Sequence, residues 1–319
     1  MASEFEIIRR YFTRPAHTAV LGVGDDSALL APRKGMTLAM STDMLLAGRH
    51  FFPSADPVKL GHKALAVNLS DLAAMAAEPR WALLAIALPR ANERWIARFA
   101  RGFFRLARRF GTELIGGDTT RGPLGISITV IGEVPRALAL RRDAARAGDD
   151  VWLSGATGEA ALALAHLNGR VKLTGRAREA CLARLHTPEP RVKLAIALRG
   201  LARSAIDVSD GLLADLGHIA RASGVAVELR WEDLPRARAI AECSDAALAK
   251  ECLVAGGDDY ELVFTAPPSK RARILAAGKK AGVRVSAIGA VAAGKPGVRV
   301  RDARGRDVST PRSGFDHFA

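Results

Sequence analysis

A chain of 319 residues, 49% apolar and 25% charged, has the composition of a globular protein in water and the length for two domains, each with its own core. No apolar run approaches the roughly 18 residues that a membrane-spanning helix needs, which argues against an integral membrane protein. The net charge of +14 admits an anionic substrate, a nucleic acid or a membrane surface as partner, but the arginines are spread along the chain without a long basic block.

In chain order, Ser3 and Glu6 read as a capping box opening a short helix, and the acidic start lacks an apolar signal region. Residues 19–23 form a strand candidate ending at Gly24-Asp25-Asp26, and residues 37–43 a second, ending at Ser41-Thr42-Asp43. Pro57 sits in the first turn of a long helix reaching about residue 76. That helix is apolar nearly all round, so cover on both flanks is expected. Asn68 and Asp71 lie on its stripe of Ala64 and Met75, where a carboxylate is costly unless paired or metal-bound. Residues 81–88 read as a buried strand. Arg94, Arg98, Arg101, Arg105 and Arg108 then recur at three- and four-residue spacing, opposite Trp95, Ile96, Phe99, Phe103, Leu106 and Phe110. This is an amphipathic helix whose basic face reads as solvated; no RNA-binding or helix-turn-helix pattern accompanies it, and no nucleic-acid partner is expected.

Residues 112–115 lead into Gly116-Gly117-Asp118-Thr119-Thr120-Arg121-Gly122. The stretch reads either as ordinary turn chemistry or as a loop taking a phosphate on its amides and arginine while the carboxylate holds a hard cation. Residues 125–134 alternate, with Ile126, Ile128 and Val130 on one face. A turn at Gly148-Asp149-Asp150 and a new strand at Val151-Trp152-Leu153-Ser154 place a boundary near 140–150, and hence domains at 1–145 and 146–319.

The second half opens with strand, Gly155-Ala156-Thr157-Gly158, helix. This resembles a phosphate-loop layout without its lysine and hydroxyl residue, and reads as a packing turn, as does Gly278-Lys279-Lys280. Helices over 178–185 and 192–203 bracket a rigid His186-Thr187-Pro188-Glu189-Pro190. Ala205-Ile206-Asp207-Val208-Ser209-Asp210-Gly211 is a short strand entering a helix over 212–223. Ser209 or Asp210 is expected to cap that helix, which leaves Asp207 unexplained. Residues 225–229 are a strand, and Gly256-Gly257-Asp258-Asp259-Tyr260-Glu261-Leu262 repeats the device of two glycines and an acid. A helix over 269–281, strands near 283–291 and 297–301 and a tail Gly314-Phe315-Asp316-His317-Phe318 follow. Three cysteines, Cys181, Cys243 and Cys252, are odd in number and lack metal-finger spacing, so a reducing, cytoplasmic compartment is expected.

Five places share one design, an apolar element delivering Asp beside Gly, Ser or Thr: Asp25-Asp26, Ser41-Thr42-Asp43, Asp71, Asp118 and Asp207/Ser209/Asp210. Hard cations such as Mg2+ take oxygen ligands and share them with substrate phosphates. Carboxylates gathered together repel unless cations lie among them, which implies more than one ion. Acids holding metal and an arginine on the phosphates suffice for phosphoryl transfer, where the protein mostly positions groups and neutralises charge. The seven histidines form no nucleophile set.

Taken jointly and in order, these stretches, with Lys63-Ala64-Leu65-Ala66-Val67-Asn68-Leu69-Ser70-Asp71 and the tail, resemble the thiamine-monophosphate kinase family. Single pieces are shared with the wider aminoimidazole ribonucleotide synthetase-like superfamily. The resemblance implies an α+β fold, with an N-terminal sheet domain that dimerises, a C-terminal mixed α/β domain, and an active site between them. It implies transfer of the ATP γ-phosphate to thiamine monophosphate, giving thiamine diphosphate, in a cytoplasmic homodimer. Carried over position by position, Asp26, Ser41, Thr42, Asp43, Asp71, Asp118, Asp207 and Asp210 match Mg2+ ligands, Asp118 and Asp210 being the catalytic pair. Gly117, Asp118, Arg142 and Ser209 match ATP contacts. His50, Asp258 and Phe315 match contacts to thiamine phosphate. Arg141 adjoins Arg142, so that choice rests on alignment. The family usually has Glu where this chain has Asp258, which keeps the charge and shortens the reach by one methylene. Two other readings are a different acceptor within the superfamily and a basic protein binding nucleic acid through the arginine-striped helix.

Overall fold

The capping box is formed at the N-terminus: the Ser3 hydroxyl accepts from the Glu6 amide, and the Glu6 carboxylate accepts from the Ser3 amide at 2.7 Å. The computed structural model describes residues 3–310, so Phe315 and its motif lie outside the described residues. The chain divides into two units, Met1–Leu72 with Ala77–Ala137, and Leu138–Ala319 with the short stretch Ala73–Ala76.

In the first unit α1 (Glu4–Ile7) runs into a π-helical turn, Ile8–Phe12. The strand expected over 19–23 is not a strand; it makes only isolated bridges, Leu21 to Leu29 and Val23 to Asp25. Gly24, at φ 128°, bends the chain away from extended pairing. Ala16, Ala19 and Ala28 pack instead on Trp81, Ile115 and Ile131 of the sheet. The sheet consists of β1 (Met36–Leu46), β2 (Glu78–Leu88), β3 (Glu113–Arg121) and β4 (Gly125–Pro135), in the order β1-β4-β2-β3, with only β2 and β3 parallel.

The two long helices of this unit are α2 (Pro57–Ala74) and α3 (Glu93–Phe110). The flanking cover expected of α2 is present: its Asn68 and Asp71 meet β1, and its other side meets α3 across two glycines. A Cβ on Gly61 would lie 2.1 Å from the Phe99 carbonyl oxygen, and one on Gly102 would lie 1.9 Å from that of Val58. Only glycine lets these backbones approach so closely. Asn92 caps α3 by accepting from the Trp95 amide, and Gly111, at φ 63°, ends it. Ile96, Phe99, Phe103 and Leu106 are buried, Arg98 pairs with Asp56, and Arg94, Arg101, Arg105 and Arg108 face solvent.

The second unit carries β5 (Asp150–Ser154), α4 (Glu159–Leu167), α5 (Gly175–His186), α6 (Val192–Ala197), β6 (Ser204–Asp207), α7 (Leu212–Ser223), β7 (Ala226–Arg230), α8 (Arg238–Ala241), α9 (Ala246–Ala255), β8 (Leu262–Ala266), α10 (Arg271–Ala281), β9 (Val285–Ala292) and β10 (Gly297–Arg301). Helix α6 is shorter than its apolar pattern suggests, and Gly200 at φ 70° lies where the helix is expected to continue. Its sheet has the order β10-β7-β9-β5-β8-β6, antiparallel except for β10 with β7. Leu153, Val263 and Ile288 on one face pack with Leu216 of α7 and Leu248 of α9, each such side chain contributing about 1.5–3 kcal/mol on burial. Trp152 and Phe264, in the alternate register, stack with ring centroids 6.2 Å apart. The packing turn expected at 155–158 is one: Gly155 faces the Glu261 carboxylate, and the Gly158 amide donates to Asp259 at 2.8 Å. Among the described residues no helix is long and apolar enough to cross a membrane.

Candidate active site

Strand β1 delivers Ser41, Thr42 and Asp43, and its alternation sends them to different faces. The Ser41 hydroxyl donates to Asp71 of α2 at 2.5 Å, while the Asp43 amide donates to the Asn68 side chain at 3.0 Å. Asn68 is itself tied by its amide to the Ala64 carbonyl, 2.9 Å away. Ser41, Asp43 and Asp71 therefore form one seam of oxygens where α2 crosses β1. The other face carries Thr42, whose hydroxyl shares a 2.7 Å hydrogen bond with Thr129. After β1 the chain turns, and the Leu46 amide donates to His50 Nδ1 at 3.0 Å, which fixes the neutral ring as the Nε2–H tautomer. Asp26 is exposed on the segment before β1.

The stretch that reads as a turn or a loop, residues 116–121, is part of strand β3. It pairs with β2 through a bulge at Ala82/Leu83 that skips Ile115. Gly117 holds φ 146°, and a Cβ there would sit 1.9 Å from the Leu84 carbonyl oxygen. The glycine thus permits close approach to β2. Asp118, level with Ala85 and through it Ser127 and Met44, lies on the Thr42 face of the sheet, not on that of Asp43. At the usual strand spacing it stands on the order of 14 Å from β1, three strands away.

In the second unit Asp207, 3% exposed, ends β6 opposite Leu262. The next residues make a turn clamped from both sides. The Ser209, Asp210 and Gly211 amides donate to a single oxygen, Oδ2 of Asp215, at 3.1, 3.1 and 3.2 Å. The carbonyls of Val208 and Ser209 accept from the Tyr260 and Asp258 amides at 2.8 and 2.9 Å. Asp258 and Tyr260 take left-handed φ values of 68° and 51°, and the Tyr260 hydroxyl donates to Asp258 at 3.0 Å. The cap expected from Ser209 or Asp210 is absent; Gly211 precedes α7, and Asp215 reaches back from inside the helix instead. Burial pushes the Asp215 carboxyl up to about 7 against the pull of its three amide donors, and the charge of Asp210 adds to the rise. Arg142 opens a 3-10 turn whose first carbonyl accepts from Ser223 of α7 at 2.7 Å, and its charge reaches His218 on the same helix.

The geometry thus gathers Ser41, Asp43 and Asp71 in one unit and Ser209, Asp210 and Asp258 in the other, and leaves Asp26 and Asp118 apart. Among the described residues no three His, Cys, Asp or Glu side chains form a metal cage of their own. The donors are nevertheless all hard oxygens, and Mg2+ binds through one or two carboxylates with waters and substrate phosphates completing the shell, so the donor set fits that ion. Sequence reasoning does not single out Asp215 or Tyr260. The signal available for Asp215 is an acid four residues after Gly211 on the face of Leu212, Leu216 and Ile219, where a carboxylate needs a partner.

Residues 24–134 match the family model for AIR synthase related protein, N-terminal domain, and residues 146–301 match that for the C-terminal domain. Thiamine-monophosphate kinase of Salmonella typhimurium is 42% identical over 321 residues, covering 99% of this chain and 98% of that protein. The crystal structure of thiamine-monophosphate kinase from Stenotrophomonas maltophilia superposes with a TM-score of 0.84 at 46% identity, over 92% of this chain and 94% of that one. AaThiL complexed with AMPPCP and TMP gives 0.78 at 31% identity, over 90% and 89%. The chain belongs to the thiamine-monophosphate kinase family of AIR synthase-related proteins.

Proposed function

We propose that this chain phosphorylates thiamine monophosphate with ATP, giving thiamine diphosphate and ADP. The observation that carries this reading is likeness over 99% of the chain to a named kinase of that substrate, with every acid-bearing stretch falling inside the two matched domains or between them. A relative's complex with AMPPCP and TMP supports the same pair of substrates. Transfer is direct: an oxygen of the thiamine phosphate attacks the γ-phosphorus, the bond to the β–γ bridging oxygen breaks, and ADP leaves with its electron pair. No side chain need become phosphorylated, since positioning and charge neutralisation carry such reactions.

Ser41, Asp43 and Asp71 are the Mg2+ donors that the first unit gathers, Asp26, Thr42 and Asp118 are its further donors from separate positions, and Asp207 and Asp210 belong to the other unit. Donors spread over both faces of the sheet, three strands apart, favour several ions over one. When bound, Mg2+ supplies neutralisation of the phosphate charge at the transferring group. Gly117, Asp118, Arg142 and Ser209 hold the nucleotide, Arg142 from a turn anchored by Ser223. His50 and Asp258 orient the thiamine phosphate, Asp258 steadied by Tyr260; Phe315 completes that set. The enzyme acts as a homodimer joined through the outer face of β1, where Met40, Met44 and Leu46 are 64%, 59% and 43% exposed. Three unpaired cysteines suit a reducing cytoplasm.

Purified protein with Mg2+-ATP and thiamine monophosphate is expected to yield thiamine diphosphate and ADP in equal amounts. Turnover of a different acceptor in place of thiamine monophosphate would refute the substrate assignment. Asp210→Asn is expected to abolish turnover while the protein stays folded; near-normal activity would remove Asp210 from the metal site.

A further inference from the structure

Asp215 is absent from the residues assigned to metal, nucleotide or substrate, yet it holds the backbone of two that are. It is 2% exposed, and one of its oxygens accepts from three successive amides, those of Ser209, Asp210 and Gly211. Consecutive N–H groups converging on one point at the start of a helix are the usual receptor for a phosphate. Here the occupant is the protein's own carboxylate, on a residue of the helix that the receptor opens.

We propose that Asp215 is a positioning residue that fills the anion receptor at the start of α7 and thereby sets the directions in which Ser209 and Asp210 present their side chains to Mg2+-ATP. The proposal rests on the assignment of Ser209 and Asp210 to the nucleotide and metal. Two consequences follow from the geometry. With its three amides engaged, the turn meets phosphates through side chains and ions, whereas a phosphate loop meets them through backbone. The turn also cannot rotate independently of α7, because its amides are fixed by Asp215 and its carbonyls by the Asp258 and Tyr260 amides. Ser209 and Asp210 are each partly exposed at the surface of this clamp, so their side chains are what the turn offers to a ligand. Gly211 supplies no capping side chain, so removing the Asp215 carboxylate leaves the amides facing an emptied receptor.

A purely structural cap would contribute stability alone, and that difference is measurable. Asp215→Ala and Asp215→Asn are compared with the parent chain for calorimetric binding of Mg2+-AMPPCP, steady-state kinetics with both substrates, and amide hydrogen exchange at residues 209–211. Loss of an outer-shell partner costs about 10- to 100-fold in affinity or activity, and that is the expected weakening of Mg2+-AMPPCP binding in Asp215→Ala, with the KM for thiamine monophosphate within about twofold of the parent. Asp215→Asn, which keeps one acceptor oxygen, is expected to lose less. Added formate, a free carboxylate small enough for the emptied receptor, is expected to restore part of the binding to Asp215→Ala and to slow exchange at residues 209–211. Folded Asp215→Ala protein that binds Mg2+-AMPPCP within about twofold of the parent overturns the proposal, whatever its thermal stability. If the alanine variant does not fold, the asparagine variant decides on the same criterion. A parent chain that makes no thiamine diphosphate, while the variants still weaken AMPPCP binding, sinks the acceptor assignment and leaves the role of Asp215 standing.

Discussion

Gly257→Ala tests whether the position of the Ser209–Asp210 turn controls the chemistry. Gly257 carries no left-handed φ, so alanine is permitted by the backbone, and the obstacle is contact alone. Its Cβ would stand 2.3 Å from the Ser209 carbonyl oxygen, against 3.4 Å for the start of ordinary contact, so the two must separate by 3.4 − 2.3 = 1.1 Å. That oxygen also accepts from the Asp258 amide at 2.9 Å, so the displacement is passed to the turn or to the proposed substrate contact. A misplacement of about 1 Å costs on the order of 100-fold in rate, and overpacking of this kind costs about 1–3 kcal/mol of stability. The assay is kcat for thiamine diphosphate formation, with a thermal melt to show that the variant is folded at the assay temperature. A folded variant with kcat within about threefold of the parent would refute the idea that the clamp sets the reacting geometry.

The buried ion pair beneath the same loop should be a matter of stability. Glu261, fully buried, accepts from Arg191 Nε at 2.6 Å and from the Ser154 hydroxyl at 2.5 Å. Arg191→Ala strands that charge and is expected to cost about 3–5 kcal/mol in urea unfolding, nearer the lower figure because Arg184 remains 3.3 Å away; a loss under about 1 kcal/mol would contradict the assignment. Burial holds the Asp259 carboxyl well above the usual carboxylate range, so the native chain keeps a proton that the unfolded chain releases. The stability from that group is present at low pH and declines as pH rises, so the parent should lose urea resistance relative to Asp259→Asn from about pH 4 upward; parallel curves would exclude the effect. Met44→Asp, on the exposed face of β1, is expected to convert the proposed dimer to monomer in sedimentation; a parent chain that sediments as monomer, or a variant that stays dimeric, would refute that interface.

Several elements are legible in the order of residues alone. The apolar stripe over 212–223 predicts a helix, and α7 matches it to the residue, because Gly211 and Gly224 bracket the stripe and glycine is where the backbone leaves a helix. The arginine-striped α3 follows from its period, with Asn92 and Gly111 at its ends. The acid-bearing stretches are legible as chemistry, since repeated carboxylates beside glycines and hydroxyls are costly without a ligand or partner. Residues 19–23 mislead because five apolar-leaning residues look alike whether they pair with a strand or lie across a sheet.

Local sequence decides what depends on neighbours along the chain: helix ends, strand alternation, and a family-wide order of motifs. Tertiary packing settles what depends on distant partners. Whether Gly116 to Arg121 turns or pairs is decided by β2, some thirty residues earlier, which offers a backbone edge that only a glycine at 117 can approach. Asp215 meets amides only a turn earlier in the chain, but the shape of the turn that presents them depends on its carbonyls being pinned by Asp258 and Tyr260, far along the chain. Hydrogen bonds between segments that remote are made by packing, and local spacing carries no record of them.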